Sequence, residues 1–331
     1  MSSKYNKTEG TFTRRELLAN LLKTATVAAS VGVAGYLFYS NEPVRKKKEQ
    51  IYTFGNYREG ISGAYPQMVI VHGREPYKML QAALQRLGGI GRFIKNGERV
   101  LIKPNAGWDR QPELAATTNP YLVSAMVRLC LDAGAAEVWV TDATINDPYR
   151  CFERTQIGPE AERAGGKVKV SKESDFVLTD LKGEVLKVWP VSKFYHQVDR
   201  VINMPIVKQH SLSGCTIAMK NWYGVLGGKR NRLHQNIHIS IADLAQAIRP
   251  TLTIVDAIRV LRHNGPTGGS LSDVSVENTI IAGTDEVALD SYALRFLDIK
   301  VEDVPFLEIG EKRGLGIRNW GSLHYEEIQI S

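Results

Sequence analysis

The sequence predicts an α/β protein whose mostly parallel sheet is flanked by helices. Three observations carry that reading. Short β-branched apolar runs alternate with helical apolar patterns from residue 66 onward. Polar residues gather just after several of those runs, where open α/β sheets bind ligands. The composition, with 43% hydrophobic and 23% charged residues in 331, is that of a chain able to bury a sizeable core.

Taken in order, Met68–His72 reads as a strand, followed by a helix through Leu80 and Leu87. Residues 99–103 form the next strand, ended by Pro104, which has no N–H for a sheet ladder. A helix from Asn119 to Ala133 follows, then a strand over 137–142 and a helix toward Arg163. Residues 168–204, with Gly183 among their turns, predict consecutive strands and a short antiparallel addition. A strand over 199–205 continues to Val207, and the Gly-rich stretch 213–228 comes next. Ser240 and Asp243 suggest a capped start for a helix to Ile248. Strands over 251–256 and 278–283 precede a helix capped by Thr284 or Asp285, and a last helix covers 304–313. Residues 41–65 mix Pro, Gly, Asn and charge without a period and read as a linker, leaving 66–331 as one α/β domain with room for two lobes.

Residues 1–40 are of another kind. Thr13-Arg14-Arg15-Glu16-Leu17-Leu18 places two arginines before apolar residues, and 24–39 is a run without charge. This resembles a twin-arginine export signal, which implies a translocase as partner, passage in the folded state and an extracytoplasmic destination such as the periplasm. Gly32-Val33-Ala34 offers a small-x-small cleavage site, while the apolar run also suits an uncleaved membrane anchor through 24–39, so both fates stand. Proteins moved this way often carry an inserted cofactor, which raises the expectation of a metal or redox group.

The net charge of +7 belongs to this leader, because residues 1–48 hold nine Lys and Arg against three Glu. The rest is close to neutral and has no basic footprint for a phosphate backbone, so nucleic acid is not an expected partner. Cys130, Cys151 and Cys215 are the only cysteines, too few for a four-thiolate iron–sulfur site. Cys130, among Val127, Leu129 and Leu131, reads as a buried thiol.

The strand ends carry the chemistry. Lys103-Pro104-Asn105, Thr141-Asp142, Lys208-Gln209-His210 and Asp256 each follow an apolar run. If those strands are neighbours, their polar residues converge on one crevice. Asp142 has a second reading as a helix cap. His234 and His238, four apart, have the spacing of a metal pair on one helix face, or are simply surface or core histidines. Gly224-Val225-Leu226-Gly227-Gly228-Lys229-Arg230 lets backbone approach an anion but lacks the P-loop pattern, and no G-x-G-x-x-G or G-x-S-x-G occurs. Asn264 to Gly269 is a loop placed to cover a ligand.

In order along the chain, Val100 through Asn105, Thr118-Asn119-Pro120, Lys208-Gln209-His210, Met219-Lys220-Asn221 with Gly224, His234, Ile254-Val255-Asp256, Gly265-Pro266 with Gly268, and Asp285 through Asp290 resemble the domain-of-unknown-function 362 family. The resemblance runs from about Val100 to Gly316 and selects Lys103, Asn105, Lys208, His210, Lys220, Asn221, His234, Asp256 and Asp290. Some members carry a ferredoxin-type module, which implies association with iron–sulfur redox chemistry; this sequence lacks such cysteines. The lysines suit a small anionic ligand oriented by Asn105 and Asn221. His210 or His234 would act as acid, base or metal ligand, and Asp256 and Asp290 would hold a lysine or orient a histidine. The expectation is an exported, cofactor- or metal-dependent redox-associated enzyme, with a non-catalytic binding or assembly factor for an extracytoplasmic redox partner as the alternative.

Overall fold

The computed structural model describes residues 14–19, 21–26, 50–58 and 63–331 and divides into units 1–49 and 50–331. In the first unit, residues 14–19 and 21–26 are helical with exposed side chains, and Arg14 and Arg15 lie in the first of these segments. The apolar run 24–39 lies, from residue 27 on, outside the described residues, as does the cleavage site. Among the described residues no helix is long and apolar enough to cross a membrane.

The second unit begins with β1 (Met68–His72), α1 (Pro76–Arg86), β2 (Arg99–Pro104), α2 (Pro120–Asp132) and β3 (Glu137–Val140). It continues through α3 (Pro148–Arg154), α4 (Ile157–Arg163), β4 (Lys167–Val168), β5 (Phe176–Asp180), β6 (Val188–Ser192) and β7 (Arg200–Met204). Next come β8 (Ile206–His210), β9 (Gly214–Thr216), α5 (Ala218–Asn221), α6 (Ile237–Ala247) and β10 (Leu252–Leu261). β11 (Val274–Gly283), α7 (Glu286–Ala293), α8 (Pro305–Lys312) and β12 (Tyr325–Gln329) complete it.

The main sheet runs β12-β1-β11-β10-β7-β2-β3-β4, with β8 joined to β10 and β9. Every pairing is parallel except those of β11 with its two neighbours and of β9 with β8. Both faces are covered, and the strand alternation shows it. Leu101, Val201, Val255 and Ile281 enter one core, with residues of α5, α6, α7 and α8. Val100, Ile102, Ile202, Ile254 and Ile280 enter the other, with residues of α1, α2 and α4. The α/β reading with a mostly parallel sheet therefore holds.

Several elements differ from expectation for identifiable reasons. The antiparallel addition is a separate two-stranded sheet of β5 and β6, whereas β4 and β7 belong to the main sheet. The helix toward Arg163 is two, α3 and α4, with Gln156 between them at φ 60°. Residues 50–58 are not linker: Tyr57 is buried, donates its hydroxyl hydrogen to the Tyr195 carbonyl at 2.5 Å, and accepts from Thr251 Oγ1 at its own carbonyl. Aromatic burial outweighed the polar composition there. α6 starts at Ile237 instead of Ser240, because Asp243 does not cap it. Its carboxylate instead accepts backbone N–H groups of Glu184, Val185 and Leu186 and an ion pair from Arg313.

The break that matters most is at Pro205. The expected strand 199–207 splits there, since proline has no N–H to continue pairing with β2. The Pro205 carbonyl accepts from Asp256 N at 2.8 Å, and β8 continues beside β10. β2 and β3 thus end without β8 alongside, and the cavity lies beyond their carboxyl ends.

Candidate functional site

β7, β2 and β3 are adjacent and parallel, with Ile102 opposite both Ile202 and Val140. That register brings Lys103, one residue beyond Ile102, close to Asp142, two beyond Val140. Lys103 Nζ donates to Asp142 Oδ1 at 2.7 Å, to the Pro104 carbonyl at 2.8 Å and to Asn221 Oδ1 at 3.1 Å. All three ammonium hydrogens are used. Burial pushes the Lys103 pKa down, opposed by the charge of Asp142 beside it. Asp142 Oδ2 accepts from Ala106 N at 2.7 Å, so it is the partner of a lysine and not a helix cap; Asp147 caps α3. Gly224 closes over this pair. A Cβ there would fall 1.8 Å from Asp142 Oδ1 and 2.6 Å from Lys103 Nζ, so only glycine fits.

A hydrogen-bonded chain runs from this pair into the protein. Asn221 Nδ2 donates to Asn203 Oδ1 at 2.8 Å, and Asn203 Nδ2 donates to Glu286 Oε1 at 2.6 Å. Glu286 also accepts from Thr253 Oγ1 and Trp222 Nε1, both at 2.9 Å. Asp290 accepts from Ala218 N at 2.6 Å and Met219 N at 3.1 Å. It thereby holds the first turn of α5, the short helix that presents Lys220 and Asn221. Burial drives the Asp290 carboxyl well above the usual carboxylate range.

The rest of the wall comes from β8, α5 and the segment after it, around a cavity of about 320 Å³. Lys208 Nζ donates to the Ala116 carbonyl at 2.5 Å and to Asn105 Oδ1 at 3.0 Å; burial lowers its pKa far below that of a free lysine. His210 Nδ1 accepts from Leu212 N at 3.2 Å, which leaves Nε2 to carry the ring hydrogen. Burial, then the charges of Lys220 and Lys208, push the His210 pKa down to about 3, so the ring is neutral at ordinary pH. Lys220 Nζ lies 5.0 Å from the centre of the Tyr223 ring and has no hydrogen-bond acceptor among the described residues. Burial lowers its pKa to about 8. Arg230 donates to the carbonyls of Ala143, Tyr223 and Thr144. His234 stacks on Tyr223, with centroids 6.2 Å apart.

Eight of the residues selected from the sequence therefore line one cavity: Lys103, Asn105, Asp142, Lys208, His210, Lys220, Asn221 and His234. Asp256 and Asp290 do not line it, and neither holds a lysine or a histidine. Asp256 is buried and accepts from Asn119 N at 2.7 Å and Ile258 N at 3.0 Å, anchoring the start of α2. The expected pair of His234 and His238 does not share the cavity: His238 stacks on Phe306. Among the described residues no group of three or more His, Cys, Asp or Glu is placed to hold a metal ion. Cys130, Cys151 and Cys215 are buried free thiols. Arg230, Tyr223 and Trp108 are wall residues that sequence reasoning missed. The signal for Arg230 was the Gly-rich stretch read as an anion approach, whose useful member is the arginine at its end.

The family model for a domain of unknown function, DUF362, matches residues 100–295. A thylakoid-associated protein of Synechocystis sp. is 28% identical over 256 residues, 71% of this chain and 74% of its own length. Two solved structures, a Thermotoga maritima protein and the lactate racemase apoprotein of Thermoanaerobacterium thermosaccharolyticum, are each 11% identical with a TM-score of 0.39. The matches cover 73% and 75% of this chain, which spans about three fifths of those two (60% and 61%).

Proposed function

This chain belongs to the domain-of-unknown-function 362 family, and from that premise we propose that its cavity binds a small anionic ligand, a carboxylate or a phosphate, and acts on it. One observation carries this: Lys103, Lys208, Lys220 and Arg230 face a common space with Asp142 as the single carboxylate on its wall. Such a surplus of buried cations is unfavourable until an anion neutralises it. The Nε2–H of neutral His210 supplies a hydrogen-bond donor, and Lys220 a base near neutrality, on the same wall. A metal- or cofactor-dependent redox role, expected from the leader and the resemblance, fits an anionic organic group held by these cations better than a bare metal cation, which they would repel.

Titration calorimetry of the full chain with inorganic phosphate and with pyruvate tests the reading. Saturable binding is expected, weakened about 10–100-fold in Lys208→Met, the cost of a lost charge-assisted hydrogen bond. Absence of binding to either anion, or binding indifferent to that change, would remove it. Binding without turnover, as in an assembly factor, is the second reading. It is favoured by how many site groups already have protein partners, Lys103 and Lys208 above all.

Export belongs to the same proposal, supported by Arg14 and Arg15 ahead of the apolar run. The Synechocystis relative is thylakoid-associated, and association with a membrane system suits anchoring through 24–39. Fractionation of cells producing the full chain should place it outside the cytoplasm, and Arg14→Lys with Arg15→Lys should retain it inside.

A further inference from the structure

We propose that Lys220 is a carbonyl-reactive amine and that the cavity's anionic ligand is a small 2-oxo acid, which condenses with Lys220 Nζ through its carbonyl carbon. This deepens the anion-site reading and rests on it. Three lysines reach the cavity, and their hydrogen bonding sorts them. Lys103 spends its ammonium on Asp142, Asn221 and a carbonyl, and Lys208 is tied to Ala116 and Asn105. Lys220 is 7% exposed, lines the cavity, and has the face of Tyr223 as its neighbour, with no hydrogen-bond acceptor on its nitrogen among the described residues. Among the described residues no carboxylate is paired with it, so its amine form is within reach near pH 8, where a lysine becomes a nucleophile.

The step balances without an outside reagent. The Lys220 lone pair forms the C–N bond while the carbonyl π pair moves onto oxygen. That oxygen takes up two protons, matching the two the amine gives up, and leaves as water; nothing is oxidised or reduced. Solvent water relays the two protons from nitrogen to oxygen, and neutral His210, with an Nε2–H on the same wall, is suited to donate a hydrogen bond to that oxygen. Arg230 supplies charge and Lys208 a hydrogen-bond donor for the ligand's carboxylate, and the pocket's size admits a compact acid.

The test incubates the full chain with pyruvate or glyoxylate, adds cyanoborohydride, and maps the modified lysine by peptide mass spectrometry. Exposed Lys229 serves as the internal background. The expected result is an adduct on Lys220 at least tenfold above that on Lys229 and absent in Lys220→Arg. No enrichment at Lys220 overturns the inference. Pyruvate binding by calorimetry without the adduct would leave the anion site standing alone, and neither binding nor adduct would remove both.

Discussion

Lys103 and Lys220 are lysines on the wall of one cavity, at 0% and 7% exposure, yet their ammonium groups meet opposite surroundings. The floor under Lys103 is complete: three acceptors, one of them ionised, with Gly224 sealing the pair from above. The wall at Lys220 offers an aromatic face and no acceptor among the described residues. A buried charge with partners is part of the scaffold, while one without partners is held at a cost that a bound ligand can relieve. The contrast teaches that proximity to the cavity does not identify the reactive group. Satisfaction of its hydrogen bonds does.

The sharpest way to break this comparison is to remove each ammonium in turn. Lys103→Met leaves Asp142 buried without its counter-ion and is expected to cost about 3–5 kcal/mol, read as a large fall in Tm. Gly224→Ala attacks the same floor from the other side, since the new methyl would enter the space between Asp142 and Lys103. Overpacking of that kind costs about 1–3 kcal/mol, and the protein should lose anion binding with it. If either variant melts like the parent, the floor is not the structural element described here.

Lys220→Met should go the other way, raising Tm in the absence of ligand at pH 7 by about 1–2 kcal/mol equivalent while abolishing the anion's affinity. The sign follows from linkage. The folded pKa, about 8, lies below the 10.5 of a free lysine, so between those limits the unfolded chain holds more protons than the folded one. Stability contributed by this residue therefore rises with pH from about 8 toward 10.5, and Lys220→Met should flatten that rise. Anion binding follows the opposite course, weakening as pH rises through about 8, with proton uptake on binding measurable by calorimetry in buffers of different ionisation enthalpy. A parallel pH response of the two quantities would contradict the assignment.

The parts legible in the sequence and those hidden from it divide along the same physical line. Lys103, Asn105, Lys208 and His210 were readable because strand ends impose position: a parallel β2 and β7 with β8 following must deliver those residues to one edge of the sheet. Partnership was not readable, because it depends on which strands are neighbours. Asp142 could pair with Lys103 only once β3 was known to lie beside β2, and the same uncertainty left it open as a helix cap. The role of Pro205 was hidden for a related reason: a proline inside an apolar run marks a break but not where the chain goes next. Tyr57 shows the converse: its stretch is polar and Gly-containing, with no period to mark it as part of the body, yet buried Tyr57 and the backbone of Tyr52 tie it there.

Asp256 and Asp290 complete the comparison, because both resemble site residues by family pattern and both act at one remove. Asp256 accepts two backbone N–H groups, and burial raises its pKa to about 6 from the 3.8 of a free aspartate. The folded protein then holds that proton more tightly than the unfolded chain, so the group's contribution to stability declines as pH rises from about 4 to about 6 and is level above. Asp256→Asn keeps one acceptor of two and removes the buried charge, opposing effects that should leave a net change within about 1 kcal/mol. The slope between those pH values should vanish, and phosphate binding should stay at the parent's level. A tenfold loss of anion affinity in this variant would mean that the start of α2, which Asp256 anchors through Asn119, shapes the cavity more directly than the separation of floor and wall allows.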